Sequence, residues 1–386
     1  MIKSKVVRAT ALGICLALAL SFCGCGKKKN NSNEIVLEQD VPTGSADKLA
    51  DYKNFTYEAF TGDDFTDEDV VAEYERIIGK YADTGVMSIE PVTGRDGTKT
   101  ASGDKVFFKY SAVAEDGTVI APRYGKITLG AGEYGFDEME NALLDQTVGE
   151  DVEFTATVPE NYGDAAVAGK QADFTVSILF VYEDAPITLE NGCYYLATGS
   201  IDEAYASVRV ALENSVINEK YEHLDKAFAD FVSFVKENTT YKDIEKDKEN
   251  SYWILYNSFS SKADAEDMTL EAYIAENSSY KNMDEFKTAM EAAADSHIKE
   301  LVAFNAVADA EGITLSDEDY AAVVFALAQK EGKTVSASDG NVDKDATVSA
   351  YETQYATVYG PDALRFYARV LYCETQVFST YAKEAQ

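Results

Sequence analysis

The strongest constraint on the fold is a change in the spacing of apolar residues at two points along the chain. Between Asp104 and Tyr182, apolar and polar residues alternate in segments such as 152–158 and 174–178, a pattern typical of half-buried β-strands. A short amphipathic helix is predicted inside this region, at 136–144. The sequence therefore predicts an α+β fold with a small antiparallel sheet wrapped on one short helix.

Helical spacing flanks the strand-rich region on both sides. Thr66 and Asp69 form a capping-box pattern, and the apolar residues that follow have helical spacing up to Gly85. After Pro186 the pattern is helical to the end, with a long helix predicted from Asn282 to Gly312. Short amphipathic helices bury their apolar stripes by packing together or on a partner. We therefore predict a C-terminal all-α domain.

Charge excludes several classes of partner. The 386 residues include 34 basic and 68 acidic side chains, giving a net charge of −34. A nucleic-acid-binding protein needs a basic face to neutralise phosphates, so we expect no nucleic-acid partner. With 2 histidines and 5 cysteines, the sequence argues against a histidine-rich metal centre. We predict no metal site and no cofactor.

The N-terminus resembles a bacterial lipoprotein signal. A basic segment precedes the apolar stretch Ala9–Phe22, whose 14 residues are fewer than the roughly 20 that span a membrane. Gly24 supplies the small residue before Cys25, so we predict cleavage at this point and lipidation of Cys25. Cys23 is the alternative lipidation site. A lipid anchor would place the protein at the cell membrane on its extracytoplasmic side.

These patterns divide the chain into five segments. They are a signal peptide (1–24), a flexible tether (25–50), an N-terminal arm helix and linker (51–100), the sheet-containing domain (101–185) and the helical domain (186–386). Cys193 and Cys373 remain in the mature chain. In an oxidising compartment they could form a disulfide, or they could stay as two buried free thiols, and the sequence leaves both alternatives open.

Short motifs occur in a fixed order through the strand-rich region. They are Gly103-Asp104-Lys105-Val106, Asp116-Gly117, Leu129-Gly130-Ala131-Gly132, Val148-Gly149-Glu150, Val158-Pro159-Glu160-Asn161-Tyr162-Gly163 and Ala168-Gly169-Lys170. Together they resemble an FKBP-type peptidyl-prolyl isomerase domain, particularly that of the trigger factor family. The flanking helices resemble the arm and the helical chaperone domain of that family. A lipid signal and tether occupy the place where the family has its ribosome-docking domain, so we expect no ribosome partner.

The resemblance also implies a set of site residues. The expected catalytic residues are Tyr110, Tyr162 and Phe174, with the first and last as pocket walls and Tyr162 offering its hydroxyl to the substrate carbonyl. The expected substrate-binding residues are Ile120, Tyr134, Phe136, Met139 and Val167, with Met139 at the pocket floor and Val167 at the rim. Ile120 and Met139 are aliphatic where the family usually has aromatic residues, and Ala121 stands where many members carry an acid.

Two functions follow from this resemblance. The first is a lipid-anchored, extracytoplasmic prolyl isomerase and chaperone, whose partners are unfolded or exported polypeptides that contain proline. The second is a holdase or scaffold protein whose isomerase domain is weak or inactive, an alternative favoured by the departures in the pocket. A parvulin-type isomerase is disfavoured, because neither His223 nor His297 lies within Gly103–Tyr182.

Overall fold

The computed structural model describes residues 41–62, 64–132, 135–337, 341–359 and 361–385. The predictions for residues 1–24 and for Cys25 lie outside these ranges. The chain divides into two compact units: residues up to Thr61 join Glu219 and everything after it, while Gly62–Asn218 forms the other unit. Within the described ranges, no helix combines the length and the apolar character that crossing a membrane requires.

The described residues form the following strands and helices. The strands are β1 (Ser45–Lys48), β2 (Thr56–Tyr57), β3 (Met87–Pro91), β4 (Lys105–Ala114), β5 (Val119–Thr128), β6 (Asp151–Thr157), β7 (Gln171–Pro186), β8 (Thr240–Lys242), β9 (Val335–Ser336), β10 (Val342–Asp343) and β11 (Lys383–Glu384). The helices are α1 (Asp67–Ala82), α2 (Asp137–Ala142), α3 (Gly192–Tyr195), α4 (Ile201–Asn238), α5 (Glu245–Ala265), α6 (Leu270–Asn277), α7 (Met283–Ala310), α8 (Asp317–Lys330), α9 (Lys344–Tyr359) and α10 (Pro361–Tyr381).

The unit Gly62–Asn218 is built around a five-stranded antiparallel sheet. Its longest strand, β7, pairs with β4 along one edge and with β6 and then β3 along the other, while β5 pairs with the free edge of β4. Helix α2 contributes Met139 to the core enclosed by the sheet, next to Leu143, which follows the helix. The predicted α+β class, with a curled antiparallel sheet wrapped on a short helix, is confirmed.

Helix α1 begins as the capping-box pattern predicts. The Thr66 hydroxyl accepts a hydrogen bond from the Asp69 amide (3.3 Å), and the Asp69 carboxylate accepts one from the Thr66 amide (2.7 Å). The buried face of α1 packs against the start of α4, where the Tyr74 and Tyr205 rings meet edge to face at 5.2 Å. Residues 186–218, which we predict as the start of the helical domain, include α3 and the first half of α4, and they cluster with the sheet-containing unit.

The other unit is a helical assembly that also contains residues 41–61. Its core combines aromatic and aliphatic side chains of α4, α7 and α10, with Phe231, Phe304 and Val370 fully buried. Tyr52 joins the same core and donates a hydrogen bond to Glu311 (2.6 Å). Hydrogen bonds from Lys53, Tyr381 and Tyr52 lower the pKa of Glu311 to about 2. This carboxylate thus holds residues near both ends of the described chain.

Part of the predicted flexible tether is ordered. Residues 25–40 lie outside the described ranges, but strand β1 pairs with β8 in the helical unit. The buried carboxylate of Asp247 accepts hydrogen bonds from the amides of Thr43 (3.1 Å) and Gly44 (2.8 Å). The Ala50 amide donates to the Thr239 hydroxyl (3.1 Å). The prediction of a flexible segment up to residue 50 is wrong from residue 43 onward, because these backbone groups have partners 189 or more residues away.

The two remaining cysteines are free thiols. Cys193 is buried in the sheet-containing unit, and Cys373 is buried in the helical unit. Burial raises the pKa of both thiols. Of the two alternatives that the sequence leaves open, the structure contains the unpaired one.

Candidate active site

The concave face of the sheet presents one row of side chains across four strands. The register places Phe154 opposite Phe174, Phe174 opposite Ala112 and Ala112 opposite Ile120. Residues directly opposite each other in antiparallel strands project from the same face. The row therefore sets a small alanine between two larger side chains, and all four residues join one apolar cluster.

Phe174 lies deep in this row. Its ring stacks on Phe154 at 5.2 Å and meets the Phe136 ring edge to face at 5.3 Å. Only 3% of Phe174 is exposed, and Ile120 is equally buried. The Phe174 ring is therefore packed mainly against other aromatic rings, and only a small part of its surface could contact a substrate.

Tyr110 and Tyr162 form the polar edge of the same cluster. Both are half-buried against it, and their hydroxyl oxygens lie 3.3 Å apart, within hydrogen-bonding distance. Arg123 faces Tyr110 across the β4–β5 pair, and its guanidinium carbon lies 5.6 Å from the centre of the Tyr162 ring. This edge combines two phenol hydroxyls with one cation above an apolar floor.

The loop that carries Tyr162 is closed on itself by backbone hydrogen bonds. The Tyr162 amide donates to the Pro159 carbonyl (3.0 Å), and Gly169 donates to the Val158 carbonyl (3.0 Å). Val167 is fully buried beneath this loop. The prediction that Val167 lines the rim is wrong, because its side chain packs into the core and fastens the loop from below.

Helix α2 supplies the other wall. Met139 is 1% exposed within the cluster, and Phe136 is buried immediately before the helix. That Met139 forms the floor of a substrate pocket stays a prediction. The Gly132 amide donates a hydrogen bond to the buried carboxylate of Glu140 (3.1 Å), which ties residue 132 to helix α2. Tyr134, predicted as a substrate-binding residue, lies outside the described residues.

Phe108 and Gly125 explain the curvature beneath Tyr110. Phe108 is completely buried, and its ring lies 5.9 Å from that of Tyr110. Gly125 is opposite Phe108 in the register, and a methyl group at Gly125 would overlap the Phe108 ring. The glycine therefore gives the Phe108 ring room to pack directly against β5.

The groups that can act on a substrate here are hydrogen-bond donors and apolar walls. The two hydroxyls can donate to a carbonyl oxygen, and the aromatic and aliphatic side chains can exclude water. Within the described ranges, no three His, Cys, Asp or Glu side chains are grouped so that they could hold a metal ion. This arrangement suits the binding of a peptide and the exclusion of water from one of its peptide groups.

Sequence reasoning missed Arg123, Phe154 and Gly125. The alternation of β6 contains the signal for Phe154, since Val152, Phe154 and Ala156 share a face. Arg123 and Gly125 could not be placed, because only the register between β4 and β5 sets them opposite Tyr110 and Phe108.

Comparison with known families matches both parts of the chain. Residues 97–179 match the model described as FKBP-type peptidyl-prolyl cis-trans isomerase. Residues 200–355 match the model described as bacterial trigger factor protein C-terminus. The fold and site thus define an FKBP-type isomerase domain followed by a helical domain. The chain carries an FKBP-type isomerase domain and a trigger factor C-terminal domain.

Individual relatives are similar over different lengths. The trigger factor of Leuconostoc mesenteroides is 34% identical over 154 residues, which are 39% of this chain and 33% of that protein. The trigger factor of Brevibacillus brevis is 27% identical over 308 residues, 76% of this chain and 67% of that protein. The match thus spans about a third of the first relative. A solved structure from work on promiscuous substrate recognition by the trigger factor chaperone covers 88% of this chain and 73% of its own, with 15% identity and a TM-score of 0.34.

Proposed function

We propose that this protein is a peptidyl-prolyl cis-trans isomerase and chaperone that assists the folding of exported polypeptides. The observation that carries the proposal is the pair of hydroxyls of Tyr110 and Tyr162, held 3.3 Å apart at the edge of an apolar cluster. The two family matches support it, because they cover the sheet domain and the helical region separately.

The reaction needs no nucleophile. The barrier to rotation about a peptide bond is about 18–20 kcal/mol, because the C–N bond has partial double-bond character. The planar form is favoured by charge separation at the carbonyl, which water stabilises. An apolar pocket removes this water and so favours the twisted transition state. A hydroxyl of Tyr110 or Tyr162 would then hold a substrate carbonyl and orient the chain.

Refolding of a proline-limited client tests the proposal. Exchange at an X–Pro bond takes roughly 10–100 s without a catalyst, so a client with one slow prolyl phase reports isomerase activity directly. We expect the full chain to accelerate this slow phase. The control is the same client with the critical proline replaced, for which no acceleration is expected. An unchanged slow phase in the first client would contradict the isomerase proposal.

A second function is favoured by the burial of Phe174 and Val167. Only 3% and 0% of their surfaces are exposed, so in this structure they offer little surface to a proline ring. The alternative is a holdase or scaffold that binds unfolded chains without isomerising them. Suppression of client aggregation together with an unchanged prolyl phase would select this function over the first.

We propose that the protein acts outside the cytoplasm, anchored in the cell membrane by lipid on Cys25. The basic segment, the apolar stretch and Gly24 before Cys25 support this, and a diacyl anchor supplies the two chains that stable attachment needs. An anchored protein meets polypeptides after export, so we also propose that it does not act on the ribosome.

Labelling with palmitate in bacterial cells tests the anchor. We expect label in the wild type and in Cys23→Ser, and none in Cys25→Ser, which should also leave the membrane fraction. Label that persists in Cys25→Ser and disappears in Cys23→Ser would show that Cys23, and not Cys25, carries the lipid. Absence of label in the wild type would refute the anchor.

A further inference from the structure

Arg123 differs from the other arginines of the described chain. Five of them form ion pairs with carboxylates: Arg76 with Glu73, Arg95 with Asp104, Arg209 with Asp67, Arg365 with Asp317 and Arg369 with Asp309. Within the described ranges, Arg123 has no ion-pair partner, although the chain contains twice as many acidic as basic residues. An exposed guanidinium without a carboxylate in so acidic a protein points to an anionic group from another molecule.

The position of Arg123 is that of the candidate active site. The β4–β5 register sets it opposite Tyr110, so its side chain starts from the concave face of the sheet. Its guanidinium lies over the Tyr162 ring, with 5.6 Å between the guanidinium carbon and the ring centre. A guanidinium that stacks on an aromatic ring through its face keeps its N–H groups free for a carboxylate.

We propose that Arg123 makes the site prefer prolyl bonds preceded by an acidic residue, Asp or Glu. This inference rests on the proposed isomerase function and names the substrate class of that site. The tyrosine hydroxyls would hold the carbonyl of the peptide group on the N-terminal side of the prolyl bond, and leave the prolyl carbonyl itself without a donor. The residue before proline lies between these two peptide groups, so its side chain leaves the chain next to the held carbonyl. Its carboxylate therefore comes within reach of the guanidinium above Tyr162.

The net negative charge of the protein makes this cation important for binding an acidic client segment. A net charge of −34 repels acidic segments of a client at long range. Arg123 attracts a client carboxylate at the site itself, because the planar guanidinium can bind both carboxylate oxygens. Because Arg123 is exposed, we expect the preference to have the size of an exposed ion pair, about two- to fivefold. Salt should weaken it.

Three tetrapeptides, Ala-Xaa-Pro-Phe with Glu, Gln or Lys before proline, test the inference. The detergent-solubilised full chain is assayed at low salt both for isomerisation (kcat/KM) and for binding (Kd from chemical-shift titration). For the Glu peptide we expect kcat/KM to be two- to fivefold higher, and Kd two- to fivefold lower, than for the Gln peptide. The Lys peptide should be the weakest in both measurements. The ratio between peptides on one variant cancels any general loss of structure.

Variants assign the preference to Arg123. Arg123→Gln should bring the ratio of Glu to Gln peptide to about one, Arg123→Glu should invert it, and Arg123→Lys should retain part of it. Lys80→Gln, which removes an exposed cation from helix α1, is the matched control and should keep the full ratio. A ratio that is the same in the wild type and in Arg123→Gln would overturn the inference.

The binding measurement separates this inference from the proposed activity. Preferential binding of the Glu peptide that depends on Arg123, without isomerisation of any peptide, supports the role of Arg123 and refutes the isomerase. Isomerisation of all three peptides at equal rates supports the isomerase and refutes the role of Arg123.

Discussion

The hydroxyl oxygens of Tyr110 and Tyr162 lie 3.3 Å apart, although the two residues are 52 positions apart in the chain. Strand β4 supplies the first hydroxyl, and the loop after β6 supplies the second. Each ring also packs on the apolar cluster. The pair therefore combines a donor for a carbonyl with walls that exclude water.

Removing the Tyr162 hydroxyl should reduce catalysis without unfolding the domain. We expect Tyr162→Phe to lower kcat/KM of prolyl isomerisation up to about tenfold, the value of one hydrogen bond to the substrate. Tyr182→Phe, on β7 outside the cluster, is the control and should leave kcat/KM unchanged. Equal rates for Tyr162→Phe and the wild type would remove Tyr162 from the proposed mechanism.

Truncating Phe174 should destabilise the sheet domain. Because its ring is packed between Phe154 and Phe136, we expect Phe174→Ala to lower the free energy of unfolding by about 3–5 kcal/mol, measured by urea denaturation. Val119→Ala, at a position 64% exposed on β5, should change it by less than about 0.5 kcal/mol. A loss below 1 kcal/mol at Phe174 would show that its ring is a free pocket wall.

Glu374 should make the helical unit less stable at high pH. Its side chain is 1% exposed, and its Oε1 has no hydrogen-bond partner among the described residues. Burial and the neighbouring Glu300 raise the pKa of Glu374, while Lys236 opposes this rise. A raised pKa in the folded state means that the stability from this group is present below the unfolded pKa and lost as the pH rises through the folded one.

We therefore expect Glu374→Gln to raise the free energy of unfolding at pH 8 by about 1–3 kcal/mol and to change it little at pH 4. Urea denaturation followed by circular dichroism at both pH values measures this. Glu276→Gln, exposed on α6, should have no such pH dependence. The same effect of Glu374→Gln at both pH values would mean that folding does not raise the pKa of this carboxyl.

Asp247 should fasten residues 43 and 44 to the helical unit. Asp247→Ala leaves the Thr43 and Gly44 amides without their acceptor, and we expect a loss of about 1–3 kcal/mol in the free energy of unfolding. Limited proteolysis should then cut between residues 41 and 50 sooner than in the wild type. Glu249→Ala, exposed on the same helix α5, should change neither measurement.

Local patterns predicted much of the fold. Alternation located the strands of the sheet, and the Thr66 capping box located the first residue of α1, since both depend on neighbouring residues alone. The family resemblance predicts Tyr110, Tyr162 and Met139 as residues of one site, and in the structure all three join one apolar cluster. Whether Tyr162 acts on a substrate stays a prediction.

Features that depend on distant contacts could not be predicted in this way. Residues 43–50 look like a polar linker, because their partners Asp247 and Thr239 lie about two hundred positions away. The family resemblance predicts Val167 at the rim of the pocket, but in the structure its side chain packs into the core beneath the closed loop. The exposure of Arg123 on the concave face follows from the β4–β5 register, which no local pattern encodes.

The pairing of β1 with β8 has a consequence for the order in which the protein assembles. Translation delivers the N-terminus first, so β1 is made long before its partner strand. Gly62–Asn218 is one continuous segment, so this unit can form all of its internal contacts once residue 218 has been synthesised. The helical unit has to wait for its final helix, because α10 supplies core residues. Maturation thus finishes with the last residues made, and truncation at the C-terminus should leave β1 unprotected while the sheet domain survives.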